Sequence, residues 1–154
     1  MSKYREYMSI AIEEAYEGIN NNEGGPFGAV VVKDDKVIGR GHNRVIATKD
    51  PTCHGELEAI RDACKHIGNN DLSGCQLYTT AEPCPMCLGG ILWANIDTVY
   101  YGCTVADTDR IGFRDDKFYA FFKGEGDILK MVNEDHEGCQ KLFDDYVALD
   151  RERY

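Results

Sequence analysis

His54-Gly55-Glu56 and, further along, Pro83-Cys84-Pro85-Met86-Cys87 hold the residue types most able to do chemistry in this chain. One imidazole and two thiolates make a three-ligand zinc set, with a carboxylate two positions after the imidazole. A structural zinc usually fills all four positions with protein, whereas a catalytic zinc keeps the fourth for water. Three ligands beside a carboxylate therefore suit hydrolysis. Zinc lowers the pKa of a water to roughly 7. Glu56 would take a proton from that water as it attacks an amidine carbon of a heterocycle, then return protons to the ring nitrogen and the departing amine. Ammonia leaves and a carbonyl remains.

The elements around these residues must bring them together. Pro85 suits the first turn of a helix, which puts Cys84 and Cys87 where unpaired N–H groups and the helix dipole favour thiolate. His54 opens another helix, and two residues along an ideal helix is about 200° around its axis. His54 and Glu56 share a pocket only if His54 enters from non-helical geometry, which the preceding Pro51 favours. The competing reading is a structural zinc knuckle, with Cys53, Cys64, Cys75, Cys103 or Cys139 as fourth ligand. Against it, Cys53 adjoins His54 too closely for good geometry, and no second C-x-x-C pair exists.

Apolar residues at three- and four-residue steps from Lys3 to Ile19 predict an amphipathic helix. Gly28 to Val32 (GAVVV) predicts a strand returning through Asp34-Asp35 to Val37–His42, and Cys75 to Thr80 and Thr98 to Gly102 predict two more. Helices are predicted from near His54, from Pro85, and near Glu137 to Arg151. Strands alternating with helices indicate an α/β layer fold.

The length, 154 residues with 43% hydrophobic, suits one domain over residues 1–154. No apolar run approaches the roughly 18 residues of a membrane span, and Lys3, Arg5 and Glu6 replace an apolar signal core. A cytoplasmic protein without a membrane partner is expected. A formal charge of -10 argues against nucleic acid as partner. Seven cysteines, an odd set, argue against a disulfide framework.

These motifs, with GGPFGAVVV at 24–32, Gly41-His42-Asn43, DPTCHGE at 50–56, EPCPMCLGGILW at 82–93 and Ile111-Gly112-Phe113, make the chain resemble the cytidine deaminase superfamily, and within it the bacterial-type guanine deaminases. The resemblance implies a three-layer α/β/α fold with a central mixed sheet of about five strands. It implies one Zn2+ per subunit on His54, Cys84 and Cys87, Glu56 as catalytic proton shuttle, and a homodimer whose C-terminal segment, about 120–154, is swapped onto the partner. Asn43 would hydrogen-bond the purine, Phe27 would pack near the ring, Trp93 would lie at the substrate, and Tyr154 would be a lid. Asp115 would assist proton transfer, although Arg114 intervenes after Phe113 and a one-residue shift selects Asp116 instead. Gly55, where the guanine enzymes more often carry alanine, resembles fungal cytosine deaminases.

Each of these residues also has an ordinary reading. Asn43 could hold a turn, Trp93 could be core, and Asp115 and Asp116 could be solvated charges. Three functions compete. A free-base deaminase, acting on guanine or alternatively on cytosine or guanosine, needs a small closed pocket. A tRNA-editing deaminase uses the same chemistry on a flipped base but needs basic surface. A non-catalytic zinc-stabilised module would leave Glu56 idle.

Overall fold

The computed structural model describes residues 2–154. The predicted first helix forms as α1 (Lys3–Asn20), with the Ser2 side chain accepting from the Arg5 backbone N–H. Strands β1 (Gly28–Lys33) and β2 (Lys36–His42) make a hairpin. Asp34 and Asp35 both take positive φ at its turn, 48° and 61°, the left-handed conformation that two-residue hairpin loops require. There follow α2 (Val45–Thr48), α3 (Gly55–Ile67), β3 (Gln76–Ala81), α4 (Pro85–Trp93) and β4 (Thr98–Cys103). The chain ends through α5 (Val105–Arg110), α6 (Asp116–Phe122) and α7 (His136–Ala148).

The sheet runs β2-β1-β3-β4, with β1 antiparallel to both neighbours and β4 parallel to β3. The pleat of β1 divides the core. Ala29 and Val31 join Ala59, Ala63, Leu77 and Ile91 on the side of α3 and α4. Val30 and Val32 join Tyr7 and Tyr78 on the side of α1. Helices thus cover both faces, an α/β/α arrangement, and β1 reads as an unbroken apolar run because both its faces are buried. Gly28 lets α1 approach closely: a Cβ there would stand 2.1 Å from the Ala11 carbonyl oxygen.

The register pairs Gly28 with His42 and Ala29 with Thr79. The start of β1 and the ends of β2 and β3 therefore share one rim of the sheet. That rim receives the N-termini of α3 and α4, and it carries the site.

Four strands form among the described residues, rather than about five. After β4 a capping box turns the chain into α5: Thr104 Oγ1 accepts from Asp107 N–H, and Asp107 Oδ2 accepts from Thr104 N–H at 2.9 Å. The next apolar run, Phe118 to Phe122, is helical in α6, and the stretch Ile128 to Val132 stays exposed and outside any ladder. Periodicity also missed α2, α5 and α6, each seven residues or fewer and too short to repeat a 3.6-residue pattern. The last helix ends at Ala148, short of Arg151. No described helix is long and apolar enough to cross a membrane.

Candidate active site

His54 is the N-cap of α3, with extended backbone at φ −74° and ψ 155°. That non-helical entrance lets its ring face the same side as Glu56, one step into the helix. Cys84 occupies the matching position on α4, with φ −67° and ψ 168°, and Pro85 follows in the first turn. Two helix N-termini thus converge at the rim, each offering polar N–H groups that favour anionic thiolate.

His54 Nδ1 lies 3.6 Å from Cys84 Sγ and 3.5 Å from Cys87 Sγ. A tetrahedral zinc with nitrogen at about 2.05 Å and sulfur at about 2.3 Å separates such atoms by about 3.6 Å. The donor set fits zinc in both chemistry and spacing. Among the described residues no further cysteine or histidine joins this cluster. Cys53, Cys64 and Cys75 lie apart from it, and Cys103 and Cys139 are exposed. A closed four-protein-ligand knuckle is not what these residues build.

Protons are shared tightly here. The Cys84 thiol is held well below its ordinary range by the hydrogen bond from Cys87 and by His54. Cys87 is pushed up because it gives that bond and is buried, and His54 is raised by its bond to Cys84. His54, Cys84 and Cys87 would give up these shared protons on holding a divalent cation, since metal ligands bind deprotonated. Glu56 is 5% exposed, and burial raises its pKa. The Thr79 hydroxyl donates to Glu56 Oε1 at 3.1 Å, and Cys87 Sγ lies 3.4 Å from Oε2.

Above these groups opens a cavity of about 490 Å³, within the range of small-molecule sites. His54, Glu56 and Cys84 line it, together with Phe27, Asn43, Phe113 and Asp115. Phe27 and Phe113 meet edge to face, with ring centroids 5.0 Å apart. Asn43 is buried, its N–H donating to the Phe27 carbonyl at 2.8 Å and its Oδ1 accepting from Val45 N–H at 3.0 Å. Asp115 stands at the N-cap position of α6, on the cavity wall, without a side-chain capping bond and with its pKa raised by burial and by the nearby Cys84, whereas Asp116 is exposed.

The pattern of the cytidine and deoxycytidylate deaminase zinc-binding region matches residues 1–103. The chain belongs to that family. The guanine deaminase of Bacillus subtilis is 48% identical over 113 residues, 73% of this chain and 72% of that protein. A tRNA-specific adenosine deaminase of Buchnera aphidicola is 34% identical over 145 residues, 94% of each chain. The X-ray structure of the Bacillus subtilis guanine deaminase superposes with a TM-score of 0.88 at 36% identity, covering 100% of this chain and 99% of that one. As a family member the chain is a zinc-dependent hydrolytic deaminase.

Trp93 and Tyr154 lie elsewhere in this deaminase. Their rings are 6.0 Å apart, on the outer side of α4, 71% and 90% exposed, and neither lines the cavity of its own chain. Several residues at the site escaped sequence reasoning. Phe113 stood in the quoted Ile111-Gly112-Phe113 stretch without a role. Thr79 reads as an ordinary strand residue, and Val45 and Ile46 line the cavity from a four-residue helix with no pattern to see. Tyr119 of α6 donates its hydroxyl to the Pro83 carbonyl, bracing the turn that presents Cys84. No local signal marks that long-range bond.

Proposed function

We propose that this chain hydrolyses guanine to xanthine and ammonia, with one zinc per chain on His54, Cys84 and Cys87. The observation that carries the reading is the buried Glu56, set beside an open three-ligand centre at the floor of a cavity that also holds Asn43 and Asp115. Zinc, when bound, supplies the acidity that lets a water ionise near neutral pH. Glu56 takes the proton from that water and, being desolvated, holds it readily. It delivers protons to the ring nitrogen beside the attacked carbon and to the departing amine, so guanine plus water gives xanthine plus ammonia. Asn43 supplies an amide to the purine edge, Asp115 accepts from ring N–H groups, and Phe27 and Phe113 hold the ring plane. A bare base fits an acidic chain, whereas a tRNA substrate would bring many phosphates to a net charge of -10.

We further propose a homodimer in which the segment from about 120 to 154 covers the partner's cavity, with Tyr154 as lid and Trp93 close to it. In support, all residues from 122 to 154 are exposed, and Leu142, Phe143 and Val147 leave an apolar face on α7 without cover.

Ammonia release from guanine, cytosine, adenine, guanosine and a tRNA anticodon stem tests the substrate, with Glu56→Gln as control. Conversion of guanine that the control lacks is expected. Turnover of another base, or of tRNA alone, would keep the centre and overturn guanine. For the dimer, Glu56→Gln chains are mixed with chains lacking Tyr154. A swapped dimer restores activity at the site where an intact Glu56 meets the partner's Tyr154. Absence of restoration refutes the swap.

A further inference from the structure

Outside the metal centre, the most enclosed ionic cluster surrounds His42, which closes β2 and has a side chain 12% exposed. Its Nδ1 lies 2.9 Å from Glu14 Oε2 of α1, and its Nε2 lies 3.0 Å from Glu23 Oε2 in the loop before β1. A neutral imidazole has one N–H and one lone pair, so with a carboxylate oxygen at each nitrogen one contact would set lone pair against lone pair. Only the imidazolium donates to both. The carboxylates are themselves held: Glu14 Oε1 accepts from Arg40 Nε at 2.9 Å and Glu23 Oε2 from Arg44 Nε at 2.7 Å.

Other charges face the same group. On α1, Glu17 brings a carboxylate oxygen within 4.8 Å, and Glu13 lies 3.9 Å from Arg40. From α3, Glu58, Arg61, Asp62 and Lys65 share a shallow pocket with His42. Of these, Glu58 pairs with Arg61 at 2.6 Å, and Asp62 accepts from the Arg40 N–H. Burial opposes charge on His42, but its hydrogen bonds to Glu14 and Glu23 outweigh it, and its pKa stands above the ordinary 6.5.

The cluster grips one wall of the cavity. The Glu23 carbonyl accepts from the N–H groups of Ile46 and Ala47, both at 3.0 Å, and so fixes α2. Gly24 follows Glu23 and lies against Asn43, where a Cβ would stand 2.1 Å from Asn43 Oδ1. Asn43 in turn follows His42. Any shift of Glu23 relative to His42 therefore moves Gly24, Asn43 and Ile46, three cavity-lining residues.

We propose that His42 is a positioning residue for substrate recognition: as imidazolium it ties Glu14 to Glu23 and holds Asn43 and Gly24 in place, and it releases them on losing its proton. The kinetic part rests on reading this cavity as the heterocycle site. Because the folded pKa is raised, the clamp is complete below the ordinary 6.5 and is lost as pH rises through the folded value.

NMR of the zinc-loaded protein without substrate, from about pH 5.5 to about pH 9, reads the clamp directly. The His42 Cε1–H signal should titrate above 6.5, with the amide signals of Gly24, Asn43 and Val45 following the same midpoint. A midpoint at or below that value, or amides that do not follow it, would overturn the proposal. With guanine as substrate, His42→Ala and the near-isosteric Glu23→Gln should each raise KM about tenfold while kcat stays within about twofold. His42→Ala should also remove the rise of KM with pH. Unchanged KM, or a loss confined to kcat, would equally overturn it. A wild-type chain inactive on guanine would sink the substrate assignment alone, since the NMR titration needs no substrate.

Discussion

Thr79→Val removes one hydroxyl from beside Glu56 and keeps the shape of the side chain. Thr79 is 1% exposed in the centre of the sheet, so no water replaces what is lost. Its Oγ1 stands 3.1 Å from Glu56 Oε1 and 3.2 Å from the Ala81 carbonyl. While Glu56 is ionised the hydroxyl donates to it. Once Glu56 carries a proton, the same hydroxyl can accept from it and donate to Ala81 instead, so one side chain serves both states of the shuttle proposed for Glu56. A buried hydrogen bond to a charged group contributes about 1.5–3 kcal/mol. At about 1.4 kcal/mol per factor of ten, kcat should fall about 10- to 150-fold. KM should change little, because Thr79 does not line the cavity. Thr79→Ser keeps the hydroxyl and should stay within about threefold of wild type. Ammonia release under saturating substrate gives kcat, and metal analysis of the same samples reports zinc. A Thr79→Val protein with full zinc and kcat within about twofold of wild type would refute the role given to this bond.

Cys87→Ala leaves two ligands and should weaken zinc binding by more than about 100-fold, read by competition with a chelating dye, and zinc should no longer raise its Tm. Asp115→Asn should lower kcat/KM at least about tenfold while Asp116→Asn stays within about twofold, because only Asp115 lines the cavity; equal effects would show the wall to be misassigned. Gly28→Ala drives a methyl against the α1 backbone at Ala11 and Ala15, which should cost about 2 kcal/mol and lower Tm by about 4–8 °C in a thermal melt.

The clustering of His54, Cys84 and Cys87 was legible in the sequence because the motifs that carry them are local. His54 with Glu56, and Cys84 with Cys87, are short motifs at helix starts, where Pro51 and Pro85 set the backbone and the dipole favours thiolate. The requirement that His54 stay outside helical geometry follows from counting degrees around a helix, and the structure meets it with ψ 155°. The hairpin at Asp34-Asp35 and the buried run of β1 were legible for the same reason, since turn chemistry and alternation act between near neighbours.

Other features required distant segments to meet. Thr79 reaches Glu56 only because β3 lies under the start of α3, and Tyr119 braces Pro83 from a helix too short to leave a period in the sequence. His42 stands between Glu14 and Glu23 because α1 crosses the sheet where Gly18 leaves room against its ring. The sheet has four strands, the four that the sequence itself predicts and not the five or so that the resemblance implies, and after β4 Thr104 and Asp107 cap a helix. The sequence alone determined the chemistry carried by adjacent residues and by residues one helical turn apart. Tertiary structure decided which carboxylates are buried, which are paired and which face the cavity, because burial and pairing depend on packing between segments far apart in the chain.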